Sequence, residues 1–167
     1  SNVLSLCESL GKLEGLNELV MTTNGSQLVK YAEGLKNAGV RRLNISLDTL
    51  DPDKFKELTR TGNLSSVMAG IDAALEQGFE RIKLNAVILK GRNDQQVIPL
   101  IEYAISKGLD ISFIEEMPLG AISEHSREET FCSNDELFSK ISERYASHAL
   151  DIRPKTSGLS SSYQLAG

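Results

Sequence analysis

The chain has 167 residues, 40% of them hydrophobic, which is enough for one domain of ordinary size with a real core. Its 18 Lys and Arg against 23 Asp and Glu give a net charge of -5 and a pI near 5.1, which argues against a nucleic-acid surface. Apolar runs such as NAVIL and ISFI are strand length, far short of the roughly 20 residues that cross a bilayer, and there is no signal-peptide pattern; neither nucleic acid nor membrane is expected as a partner.

In chain order, hydrophobic spacing predicts a helix over 3–13 and then an apolar strand that ends in Thr22, Thr23, Asn24 and Gly25. Cys7 in that helix and Cys132 far downstream each lack a second Cys or a His at ligand spacing, and read as ordinary thiols of a reducing, cytoplasmic compartment. A helix over 27–38 follows, with Leu28, Ala32 and Leu35 on one face, and then a strand to Ser46. Asp51 with Pro52 is an N-cap followed by a first-turn proline, opening a short helix with Phe55 and Leu58 inward. The helix over 65–77 carries Val67, Ile71 and Leu75, and the next strand runs through Lys83 and Asn85. A helix over 94–107 carries Val97, Ile101 and Ala104 and leads to a strand ending at Glu115 and Glu116. The charged stretch SEHSREET, 123–130, is a solvated connection in the place where barrel enzymes carry lids. Ser133 and Glu136 have capping-box spacing before a last helix with Leu137, Ile141 and Tyr145. His125 and His148 have no serine or carboxylate at a spacing that would make a nucleophilic triad. The Ser- and Gly-rich tail, 156–167, is expected to be mobile, with SYQLAG able to form a late strand.

Aligning the strands on the glycine before each one produces a frame: GLNELVMT from Gly15, GVRRLNIS from Gly39, GFERIKLN from Gly78 and GLDISFIE from Gly108. Seven residues after each glycine stands a polar side chain: Thr22, Ser46, Asn85 and Glu115. Strand side chains alternate, so Val20, Asn44, Lys83 and Phe113 share that face, while Met21, Ile45, Leu84 and Ile114 point to the other. The second face is uniformly apolar and suits helices packed against it. Strands alternating with helices imply an α/β fold with parallel strands, curved in the manner of a barrel. A closed eight-stranded barrel packs its interior with branched apolar residues. An inner face of Thr, Ser, Asn, Lys and Glu should instead hold water or a ligand, because buried polar groups need partners. Lys83 is the sharpest case, since a lysine between Ile82 and Leu84 is costly to bury without an anionic partner. Met117 shares the parity of Glu115, and its polarisable thioether suits a flat ring.

The blocks MTTNGSQL, LNISLDTLDPDKFKELTRTGNLSSVMAGIDAALEQGF, IKLNAVILKGRND and ISFIEEMPLG, in this order and spacing, resemble the GTP 3',8-cyclase family of radical S-adenosylmethionine (SAM) enzymes in molybdenum cofactor biosynthesis. The resemblance runs from the first helix to about SYQL. It implies a fragment of a partial, open (β/α)6 barrel, with residues 1–155 its central and later part and 156–167 the start of a C-terminal region. The implied reaction cleaves SAM at a [4Fe-4S] cluster to a 5'-deoxyadenosyl radical, abstracts hydrogen from C3' of GTP and closes C3' onto C8 of guanine. By matching motifs, Thr22 and Lys83 fall where the family contacts GTP, and Ser46 and Met117 where it contacts SAM. Asn24, Asn44, Asn85 and Glu115 are further candidates from the same strand ends. For the full-length family the resemblance implies SAM and two [4Fe-4S] clusters as cofactors, admits a homodimer, and adds a downstream pyranopterin monophosphate synthase as partner.

The family's CxxxCxxC triplet, its GGEP-like strand and its C-terminal cysteine triplet have no counterpart in these residues, so no metal ligand and no catalytic residue is assigned. Two other readings of the residues stay open. One is a barrel aldolase with Lys83 as Schiff-base lysine, the other a nucleotide-binding module without catalysis. As a central fragment, the chain alone is expected neither to assemble a cluster nor to cleave SAM. Chromatographic detection of 5'-deoxyadenosine released from SAM under reducing conditions would contradict that.

Overall fold

The structure, a computed structural model, describes residues 3–116, 127–145, 150–151, 160–162 and 164–165. Its elements in chain order are α1 (Val3–Gly11), β1 (Leu19–Thr23), α2 (Leu28–Asn37), β2 (Val40–Ser46), α3 (Pro52–Thr59), α4 (Leu64–Glu76), β3 (Arg81–Val87), α5 (Val97–Lys107), β4 (Asp110–Ile114), α6 (Arg127–Thr130), α7 (Asn134–Arg144), β5 (Leu150–Asp151), β6 (Ser160–Ser162) and β7 (Gln164–Leu165). The main sheet has the strand order β1-β2-β3-β4-β6, and one or two helices separate each of the first four strands from the next. None of the described helices is long and apolar enough to cross a membrane.

Helices α3, α4 and α7 start where a side chain accepts one or two of the first free N–H groups. Asp51 accepts from the N–H groups of Asp53 (2.9 Å) and Lys54 (3.1 Å) and opens α3, with Pro52 in the first turn. Ser133 and Glu136 form a complete capping box for α7. The helix expected from residue 94 begins at Val97 instead, because Asp94–Gln96 form a tighter 3-10 turn. Its far end is Gly108, in the left-handed region at φ 65°, where the following N–H of Leu109 turns back to the carbonyl of Ala104 at 2.8 Å.

The chain divides into two compact units. The first, residues 1–47 and 51–84, contains β1 and β2 paired in parallel, with Thr22 opposite Asn44 and Thr23 opposite Ile45. Leu43, Ile45 and Leu84 are fully buried and face the apolar stripes of α2 (Leu28, Ala32, Leu35) and α4 (Val67, Ile71, Ala74). Burying each such aliphatic side chain stabilises the fold by roughly 1.5–3 kcal/mol, so this side of the strands is the core.

The second unit comprises 48–50 and 85–167. Asn93, fully buried, holds its strand ends: its Nδ2 donates to the carbonyls of Asp48 (2.9 Å) and Val87 (3.0 Å), and its Oδ1 accepts from the N–H of Leu89 (2.7 Å). Along α7, Glu136, Lys140 and Arg144 recur every fourth residue and pair with Lys90, Asp94 and Glu102. Exposed pairs of this kind add little, so the burial of Leu137 and Ile141 is what seats the helix. Strand β6 runs antiparallel to β4, with Phe113 opposite Ser161, so the described strands are not all parallel. β5 and β7 pair antiparallel as well, and β7 falls within SYQLAG.

Asp48 sits in this unit with one carboxylate oxygen accepting the N–H of Val87 at 2.8 Å, and burial raises its pKa while that hydrogen bond lowers it in part. A carboxyl whose folded pKa lies above its unfolded one keeps a proton that the unfolded chain releases. Stability therefore falls as pH rises from about 4 through the raised folded value. Asp48→Asn keeps an oxygen for Val87 and has no charge to desolvate. Thermal melts should show it more stable than the unmodified chain at pH 7 by a few degrees, with the difference gone below about pH 4. An Asn variant that melts lower at pH 7 would contradict this.

Candidate functional site

In the first unit the polar face expected from strand parity is present. Thr22 and Ser46 are exposed, Asn44 and Lys83 are half-buried, and the residues between them, Leu43, Ile45, Ile82 and Leu84, are buried on the opposite side. The β1–β2 register sets Thr22 directly beside Asn44, whose Nδ2 donates to Thr22 Oγ1 over a long 3.4 Å. Arg42, two residues before Asn44, is already paired with Glu18 at 2.7 Å. Lys83 is different: among the described residues it has no ion pair and no hydrogen bond through its ammonium, so its charge is met by solvent or by something that binds.

The turn after β1 explains why the strand ends in two hydroxyls and an amide. Thr23 Oγ1 accepts the N–H of Gly25 at 3.1 Å, and Asn24 Oδ1 accepts both the N–H (3.1 Å) and the hydroxyl (2.9 Å) of Ser26. Those two side chains build the turn, which leaves Thr22 as the hydroxyl presented on the polar face. Asn24, a candidate from sequence, has its carbonyl oxygen engaged in this way, and only its Nδ2 is left to meet a ligand. Gly25 has φ 77°, and a Cβ there would come within 3.0 Å of Ile45 Cγ2 and 3.1 Å of Val67 Cγ1. Parity counting distinguished Thr22 from Thr23; it had no means of assigning Ser26, whose contribution depends on the local turn.

The other candidates lie in the second unit. Asn85 is half-buried on β3 and follows Lys83 by two residues, hence on the same face of that strand. Glu115 Oε1 accepts the N–H of Asn134 at 2.7 Å, so this carboxylate is engaged with the first turn of α7. Phe113, placed by parity on the polar face, is buried, and β4 therefore does not continue an open polar face. Met117, His125 and His148 lie outside the described residues, as do 123–126 and most of the tail; the rest of the charged stretch, expected as a solvated connection, is instead the short helix α6 (Arg127–Thr130), with Thr130 buried.

A cavity of about 340 Å³ opens beside the same turn, lined by Asn24, Ser26, Phe55, Thr59, Asn63 and Ser66 among others, and none of Thr22, Asn44, Ser46 or Lys83 lines it. Iron–sulfur clusters need thiolates. Cys7 and Cys132, the free cysteines, are both buried, burial pushes both thiols up, and no group of three His, Cys, Asp or Glu among the described residues could hold a metal ion. These residues do not fit a cluster, and no chemical step is derived through one.

Comparison with known proteins adds ancestry to this geometry. The chain is 57% identical over 143 residues to GTP 3',8-cyclase of Pseudomonas putida (strain W619), covering 86% of this chain and 43% of that protein. It is 60% identical over 145 residues to GTP 3',8-cyclase of Pseudomonas savastanoi pv. phaseolicola (strain 1448A / Race 6), covering 87% and 44%, and 54% identical over 162 residues to that of Ectopseudomonas mendocina (strain ymp), covering 97% and 48%. The chain thus spans less than half the length of these relatives. Among solved structures, archaeal TYW1 shares the fold at a TM-score of 0.59 with 16% identity over 88% of this chain and 46% of that one. Coproporphyrinogen III oxidase (HemN) from Escherichia coli, described as a radical SAM enzyme, does so at 0.59 with 13% identity over 78% and 31%. The profile of the Radical SAM superfamily matches residues 2–104, more than half of the sequence, and the chain belongs to that superfamily.

Proposed function

We propose that the protein is a GTP 3',8-cyclase, a lyase that uses SAM to convert GTP to 3',8-cyclo-7,8-dihydro-GTP on the route to molybdenum cofactor, and that this chain supplies strand ends contacting both small molecules. The observation that carries the reading is Lys83, a half-buried cation on a polar strand face with no ion pair among the described residues. An ammonium of this kind matches an anionic nucleotide as a point charge. Kinship with proteins named GTP 3',8-cyclase selects GTP among the nucleotides. Thr22 contributes a short hydroxyl to the same ligand, which can donate to or accept from its oxygens. Ser46 and Met117 are assigned to SAM, the hydroxyl to its polar atoms and the thioether to its apolar surface. Asn44, Asn85, Asn24 and Glu115 stand as further contacts. In the same reading residues 1–155 form the central and later barrel, the enzyme works in the cytoplasm, a homodimer is admitted, and a pyranopterin monophosphate synthase acts downstream.

Lys83→Ala removes one charge-assisted contact, worth about 1.5–3 kcal/mol, and should weaken GTP binding by about tenfold or more in calorimetric titration while leaving SAM affinity unchanged. Met117→Ala should do the converse. Equal losses for both ligands in either variant would contradict the assignment. Trapping of a carbonyl compound on Lys83 by borohydride would favour the Schiff-base reading instead.

A further inference from the structure

We propose that Gly70, in the middle of α4, is a positioning residue for the Thr22 strand end, acting through the carbonyl of Gly25. The proposal rests on the functional reading above and gives it a specificity-setting element. A Cβ built on Gly70 would lie within hydrogen-bonding distance of Gly25 O, far inside carbon–oxygen contact, and 3.1 Å from Leu28 Cβ. These neighbours are backbone and the root of a side chain, so neither can rotate away. The carbonyl is itself held, since it accepts the N–H of Leu28 at 3.1 Å. One turn earlier on the same helix, Val67 Cγ1 fills the space beside Gly25, where a Cβ would meet it at 3.1 Å. Helix α4 therefore grips the turn at two successive levels, and Gly70 is the level at which only hydrogen fits.

The turn, not the helix, is the softer partner. Val67, Ile71 and Ala74 fix α4 in the core, each at most 2% exposed. The turn is held by hydrogen bonds of Thr23 and Asn24, half-buried and exposed, which can re-form after a shift. Restoring ordinary contact against a methyl group requires a shift of about 1 Å, and Thr23 Oγ1, bonded to Gly25 N–H, passes that shift to the residue before it. A misplacement of about 1 Å in a positioning group costs up to about 100-fold in rate.

Gly34 provides the matched control. It is also inside a helix, α2, but a Cβ there would meet only the tip of Leu4, Cδ1 at 2.8 Å and Cδ2 at 3.0 Å, which can swing aside. In the protein expressed from its complete reading frame, Gly70→Ala should raise KM for GTP at least tenfold, with KM for SAM within twofold and helix content by circular dichroism unchanged. Gly34→Ala should leave both KM values within twofold. In a Thr22→Ala background the added effect of Gly70→Ala on KM for GTP should shrink to less than threefold, because the group being positioned is gone. An unchanged KM for GTP in Gly70→Ala, an undiminished effect in the Thr22→Ala background, or failure of Gly70→Ala to fold each overturns the proposal. An unmodified protein that does not turn over GTP with SAM overturns the functional reading, and this proposal with it; failure of the proposal alone leaves the unmodified protein active.

Discussion

A strand can show only every second side chain to one side, and in the first unit this constraint decides everything else. Leu43, Ile45, Ile82 and Leu84 must face the helices, because their burial is the main stabilising term of the unit. Once they do, Asn44, Ser46 and Lys83 have no choice of face, and the parallel register carries Thr22 to the side of Asn44. A slip of one residue would bury Lys83 and expose Leu84. The polar face is thus a by-product of the core in its geometry. Its composition is not, because nothing about packing asks for a cation there.

The strand end is finished by a different kind of force. Thr23 and Asn24 spend their oxygens on the backbone of Gly25 and Ser26, and Gly25 takes a positive φ between Ile45 and Val67, where a side chain would be strained and tightly met. Short local hydrogen bonds fix the shape of the turn, and the helix behind it fixes its place. A hydroxyl held this way loses little entropy on meeting a ligand, which is the physical value of a rigid strand end over a loose loop. In the second unit Asn93 plays a comparable part, satisfying three backbone groups with one buried side chain.

Much of this was readable from the residues, and the limits were physical. Asp51 with Pro52 and Ser133 with Glu136 announce helix starts because their hydrogen bonds close within three residues. Thr22 and Thr23 separate by simple alternation. Glu115 is a different matter: its partner is the N–H of Asn134, 19 residues away, and no local pattern foretells such a contact. Phe113 obeys the alternation yet is buried, since what covers a strand face is a tertiary property. The close approach at Gly70 has no local signal at all, because contact between elements leaves no trace in periodicity. The antiparallel β6 was similarly hidden in a Ser-rich tail with no apolar alternation.

The account stands on the polar strand face as the place where nucleotide binds, and the neighbouring 340 Å³ cavity offers a rival location on the same unit. Titrating GTP into the isotopically labelled protein and following backbone amide shifts separates the two. The account predicts the largest shifts at Thr22, Asn44 and Lys83, with Thr59, Asn63 and Ser66 little changed. Shifts concentrated at Thr59, Asn63 and Ser66, or no saturable shift at all, would contradict it.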